Sequence, residues 1–169
     1  MLPRMSNIIA NGEKKKFKEY IGKSMEFIIF LSCPIVLGLI SVSKKFAPLY
    51  FGNEFLKTGN LIEISAITIL FISWANVIRT QYLIPKEKDK EYIYSVIIGA
   101  MVNLISNLLL IPKFNSVGAS IGTVLAEFTV MLVQTISVKK YLPIDEYIKQ
   151  NYKFAIKSLI MFCCIYPLN

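Results

Sequence analysis

Residues 93–112, IYSVIIGAMVNLISNLLLIP, run into a short polar turn, KFNS at 113–116, and then into VGASIGTVLAEFTVMLVQTISV at 117–138. The first run holds 20 residues and the second 22. A helix rising about 1.5 Å per residue needs ~20 residues to cross the ~30 Å hydrocarbon core of a bilayer, so each run has the length of a membrane span. Glu127 is the one charged residue in either run. The pair reads as a transmembrane helical hairpin, and the rest of the chain reads as its neighbours.

Of the 169 residues, 54% are apolar and 18% charged, and the mean hydropathy is +0.54. The charges cluster between apolar runs at about 25–42, 61–84, 92–111, 117–138 and 154–168. A soluble core does not need five such runs, so the expected fold is all-α, a polytopic membrane bundle of about five transmembrane helices over 25–169. Residues 1–24 form a separate basic segment carrying Arg4, Lys14, Lys15, Lys16, Lys18 and Lys23. Asn11-Gly12 marks a turn there, and Phe17, Tyr20 and Ile21 predict a short amphipathic helix lying on the membrane surface. Pro34, near the middle of the first span, removes a backbone hydrogen bond and predicts a kink. Residues 43–60 are expected to be a loop, with Phe46, Tyr50, Phe51 and Phe55 at the interface, where aromatic rings are favoured. Pro85 and Pro112 are expected to end the second and third spans. The fifth run, from Phe154, has barely the length to cross.

The net charge of +8 is not patterned for nucleic acid. Lys fills the gaps between apolar runs, without a basic helix face or basic-aromatic interleaving, and this suits anionic lipid headgroups instead. There is no His, and Cys33, Cys163 and Cys164 all lie in apolar runs, so neither a metal site nor a disulfide framework is expected. The N-terminus lacks the apolar core of a signal peptide. No nucleophile with a nearby base, phosphate loop or convincing acidic pair appears, which speaks against an enzyme and against any cofactor.

With the N-terminus placed in the cytoplasm, thirteen Lys and Arg fall in inside segments and four in outside segments. That asymmetry fits the positive-inside rule and predicts a multi-pass protein with a cytoplasmic N-terminus.

The polar residues within the spans are the candidate pathway. An ionised Glu127 at mid-span costs ~2.5–3.5 kcal/mol or more, so it must face protein or water, or be protonated. Two readings stay open: a proton- or cation-linked site, or a structural hydrogen bond to a neighbouring helix. Ser95, Gly99, Asn103 and Asn107 repeat every four residues along the third span. Gly118, Gly122 and Ala126 do the same along the fourth, a small-residue stripe that favours close helix packing. The alternative is a polar cavity lined by Asn103, Asn107 and Glu127. Arg79, with Asn76 and Thr80 beside it, either snorkels to the headgroups or offers a planar fork of donors to a phosphate.

These residues carry a resemblance. LLLIPKFNSVGASIGTVLAE, residues 108–127, resembles the segment between two late helices of bacterial polysaccharide flippases of the MATE/MOP superfamily. The matching residues are Ile111, Pro112, Phe114, Gly118, Ala119, Ser120, Ile121, Gly122, Thr123 and Glu127, and LPRMS at 2–6 is similar to a motif that follows an earlier helix. The family often has Gly where this chain has Asn115. The resemblance implies half of a MATE-like transporter, a C-terminal portion inactive alone, sited in the bacterial cytoplasmic membrane. The implied activity is export of polyprenyl-pyrophosphate-linked oligosaccharide for cell-surface polysaccharide. The implied partners are membrane lipids, the lipid-linked oligosaccharide, and a missing N-terminal half or a second copy. Membership of Glu127 in the motif favours its structural reading. The alternatives are a small structural or assembly membrane protein, and a fragment of a multidrug/cation antiporter.

Overall fold

The computed structural model describes residues 2–52 and 56–165, which form helices and short turns. In chain order these are α1 (Leu2–Ala10), α2 (Lys14–Phe51), α3 (Leu56–Ala66), α4 (Thr68–Ile78), α5 (Asp89–Phe114), α6 (Ser116–Val138) and α7 (Ile144–Ile165). A π-helical turn, Arg79–Leu83, and a 3-10 turn, Ile84–Lys86, close α4. Four segments are long and apolar enough to cross a membrane: Lys14–Phe51, Lys57–Lys86, Asp89–Phe114 and Ser116–Val138. The architecture is therefore the expected all-α membrane bundle. The expected fifth span, 154–168, belongs to α7 as far as Ile165, and its remainder lies outside the described residues. The side chains of Leu2, Pro3 and Arg4 in the LPRMS motif also lie outside them.

The helices pack side by side. α7 lies on α2, α2 on α3 and α4, these on α6, and α6 on α5. The neighbours α5 and α6 make the most extensive contact in the molecule. The large apolar side chains on the outer face of α5, such as Ile93, Met101, Ile105 and Leu108, stay exposed, as a lipid-facing surface requires.

Several expected boundaries move. The basic segment is split: Arg4 lies in the short helix α1, and the five lysines from Lys14 to Lys23 lie in the start of α2, one 38-residue helix. Phe17, Ile21 and Met25 recur every four residues, so they share one face. They are buried in an apolar cluster with Ile78, Leu83, Val138 and Tyr147. Burial against three other helices outweighs what a solvated interfacial helix would offer. At the other end α2 continues past Val42 to Phe51, so 43–51 is helix rather than loop. Gly59 lets α3 approach this extension: a Cβ there would sit 3.0 Å from the Lys44 Cα. Lys44 pairs with Glu63 of α3 at 3.2 Å. Phe46 stacks on Tyr50, with ring centroids 5.4 Å apart, and both are exposed on the helix. Phe55 lies outside the described residues. Gly52, at φ 94°, stops the helix. The helical backbone runs through Pro34 without interruption.

The hairpin is tighter than expected as well. Pro112 does not end α5, which continues to Phe114, because a proline removes one hydrogen bond and the next turn can still close. A single residue, Asn115, then separates α5 from α6, at φ 51° and ψ −128°. That conformation favours glycine, and Asn115 holds it here at the cost of backbone strain.

Candidate functional site

α4 and α5 both lean on α6 and leave a groove between them. Its volume is about 670 Å³, and it is lined by residues of all three helices. Asn76 comes from the end of α4 and Arg79 from the π-helical turn that follows it, Tyr92, Asn103 and Asn107 from α5, and Glu127 and Gln134 from α6. All five expected pathway residues, Asn76, Arg79, Asn103, Asn107 and Glu127, thus share one groove. Between Tyr92 and Asn107 the helix climbs about 22 Å, so the polar lining covers much of the bilayer depth.

The small-residue stripes build one wall. A Cβ on Gly99 would run into Val130, one on Gly118 into the Leu110 carbonyl, and one on Gly122 into the Asn107 side chain. Ala126 is buried in the same seam. The stripes therefore pack the hairpin, and the neighbouring polar side chains still line a cavity. The two readings of this hairpin coexist: on α6 Glu127 stands one face over from the Gly118, Gly122 and Ala126 stripe, and on α5 the single stripe Gly99, Asn103 and Asn107 both packs and lines the groove. Asn107 Nδ2 donates to Asn103 Oδ1 at 2.8 Å, which couples the two amides along α5. Asn107 Oδ1 is buried and has no hydrogen-bond partner among the described residues.

Arg79 is aimed into the groove by the π-helical turn. Thr80 Oγ1 donates to the Asn76 carbonyl at 2.6 Å, competing with the backbone N–H of its own residue for that acceptor. Pro85 supplies no N–H to the same turn. Such widened turns recur at functional sites. The Arg79 guanidinium lies 5.5 Å from the centre of the Tyr92 ring, and its Nη1 donates to the Tyr92 hydroxyl at 3.4 Å. Its Nε is buried without a partner, and no carboxylate pairs with it among the described residues. Arg79 thus lines the groove and is held against Tyr92. Thr80 spends its hydroxyl on the backbone and does not line the groove.

Glu127 is half-buried on the groove wall, and its carboxylate makes no hydrogen bond or ion pair among the described residues. The structural hydrogen bond to a neighbouring helix is thus not formed there. No cluster of His, Cys, Asp and Glu able to hold a metal ion occurs among the described residues.

Two polar lining residues, Gln134 and Tyr92, are not among the sequence candidates. Gln134 is 1% exposed, and its Nε2 donates to Ser95 Oγ at 3.0 Å. Its seven-residue spacing from Glu127 put it on the same helix face, and that was the available signal. Trp74 Nε1 donates to Thr135 Oγ1 at 3.0 Å and, with the Phe71–Phe128 ring contact at 5.2 Å, fastens α4 to α6 beside the groove.

The sequence pattern described as "Lipid II flippase MurJ" matches residues 1–168. The lipid II flippase MurJ of Bacillus subtilis is 24% identical over 165 residues, which cover 95% of this chain and 29% of that protein. A putative O-antigen transporter of Shigella dysenteriae is 25% identical, covering 82% of this chain and 34% of its own length. The capsular polysaccharide biosynthesis protein CapF of Staphylococcus aureus is 24% identical, covering 78% and 33%. The chain spans about a third of the length of these relatives. No solved structure matches it. The relatives include glycan transporters of the kind the hairpin motif resembles, and with the family pattern matched along nearly its whole length the chain belongs to the lipid II flippase MurJ family.

Proposed function

We propose that the chain forms one helix bundle of a flippase that exports a polyprenyl-pyrophosphate-linked oligosaccharide across the bacterial cytoplasmic membrane. The observation that carries this reading is the convergence of Asn76, Arg79, Asn103, Asn107 and Glu127 on one groove. Such a substrate joins three chemistries. Its tail suits lipid, its pyrophosphate suits a cation, and its sugars suit hydrogen-bonding groups. Arg79 is the groove's cation, and its fork of donors matches a phosphate oxygen pair. The asparagines offer both donors and acceptors to hydroxyl groups.

The relatives' greater length supports a pathway completed by a second bundle, contributed by further chain or by a second copy. On this reading the 169-residue chain does not transport by itself. The excess of Lys and Arg on one side supports a cytoplasmic N-terminus, which places Arg79 and Tyr92 toward the cytoplasmic end of the groove.

The test is complementation of a flippase-null bacterium. The 169-residue chain is expected to fail. A fusion that joins it to the N-terminal portion of a MurJ-family relative is expected to restore growth, and Arg79→Gln in that fusion to abolish the rescue. Full rescue by the fusion regardless of Arg79, Asn103 or Glu127 variants would sink the reading.

A further inference from the structure

The Arg79 end of the groove presents an acceptor whose direction is set by a hydrogen-bond relay. Ser95 Oγ donates its one proton to the Tyr92 carbonyl at 2.6 Å. Ser95 can then only accept from Gln134, which fixes the Gln134 amide with its NH₂ toward Ser95 at 3.0 Å. Gln134 Oε1 is thereby held in the groove wall, buried and without a partner among the described residues. A buried acceptor without a partner costs free energy, and such a group in a cavity points to a ligand that donates. The Tyr92 hydroxyl, which accepts from Arg79 Nη1, keeps its own proton available. The wall beside Arg79 therefore offers one acceptor and one neutral donor.

That pattern discriminates between ligands. A phosphate oxygen has no proton to give Gln134 Oε1, and two acceptors facing one another repel. A sugar hydroxyl donates and accepts at once, and an acetamido group offers an N–H beside a carbonyl. Resting on the flippase reading above, we infer that Gln134 and Tyr92 form a subsite for the sugar attached directly to the pyrophosphate, next to Arg79, which takes the phosphate. Ser95 is the positioning residue that turns the Gln134 amide. The sugar and the pyrophosphate share a covalent bond in such a substrate, so adjacent subsites of these two kinds match its chemistry.

The experiment measures binding of N-acetylglucosamine and, separately, inorganic pyrophosphate to the purified 169-residue chain in detergent micelles by saturation-transfer NMR. Wild type is expected to bind both. Gln134→Leu is expected to weaken the sugar at least tenfold and leave pyrophosphate within twofold. Tyr92→Phe keeps the ring and loses the proton, and is expected to weaken the sugar several-fold. It serves as the deciding variant if Gln134→Leu does not fold. Absence of sugar binding in wild type, or sugar binding unchanged in whichever variant folds, overturns the subsite. These outcomes are independent of complementation. Loss of the subsite with rescue intact leaves the flippase reading standing, and sugar binding without rescue does the reverse.

Discussion

The Leu110 carbonyl carbon lies 2.5 Å from where a Cβ on Gly118 would be, so α6 meets α5 backbone to backbone at the head of the hairpin. Close approach of this kind gains dispersion contacts along the whole seam, and it holds the polar faces of both helices beside one another.

Gly118→Ala is therefore expected to destabilise the hairpin by about 1–3 kcal/mol, since the obstacle is backbone and cannot rotate away. Gly122→Ala meets side-chain atoms of Asn107 and Ser106 rather than backbone and is expected to cost less. Gly38→Ala, with open space around it, is the control and is expected to be neutral or mildly stabilising, because alanine is the better helix former. Thermal unfolding in detergent ranks the three. A Gly118 variant as stable as the Gly38 variant contradicts the packing argument.

Asn115 holds φ 51° in the one-residue link between α5 and α6. Strain of this kind at a non-glycine residue costs on the order of 1–3 kcal/mol. Asn115→Gly is expected to raise the unfolding midpoint despite the greater freedom that glycine gives the unfolded chain, and Asn115→Val to lower it strongly. An unchanged midpoint in both variants would show that the link is not strained.

Glu127 faces the groove without a hydrogen bond or ion pair among the described residues. In the fusion flippase, Glu127→Gln is expected to leave expression intact and to abolish dependence of transport on a proton or cation gradient. Transport that keeps its gradient dependence in the variant removes Glu127 from coupling.

Tyr147 ties α7 to α2 by donating its hydroxyl to the Lys18 carbonyl at 2.8 Å. Burial, reinforced by the nearby Glu146 carboxylate, pushes its phenol from 10.0 up to about 12. The folded state therefore holds the proton more tightly than the unfolded state. The associated stability is fully present below pH 10 and is lost as the pH climbs toward 12. Tyr147→Phe is expected to cost about 1 kcal/mol at neutral pH and to lose less stability than wild type between pH 10 and 12. Parallel alkaline unfolding curves for the two proteins would refute this.

Single cysteines introduced in the 85–91 turn are expected to react only with reagents that reach the cytoplasm. Labelling of these positions from outside intact cells would reverse the proposed orientation.

Apolar runs of membrane length made the all-α bundle legible from composition, because no soluble arrangement accommodates so many of them. Spacing by four along 95–107 and 118–126 disclosed the hairpin seam for the same kind of reason: helix geometry puts such residues on one face. The helix ends were not legible. Whether Phe17 and Ile21 lie on a membrane surface or in a core depends on Tyr147 and Val138, far away in sequence. Nor does a proline reveal whether the next turn can close, as it does after Pro112.

The same division holds for the groove. The types and depths of Arg79, Asn103 and Glu127 follow from one-dimensional arguments about the cost of polar groups in lipid. Their convergence does not, because it needs α4 and α5 to lean on α6 from two sides. The hydrogen-bond direction of Gln134 lies further still from the sequence. It exists only because Ser95 has already given its proton to Tyr92, and that relay forms only once α5 and α6 have packed. Sequence alone determined which residues must be sheltered from lipid, and the tertiary structure decided which of them face one another.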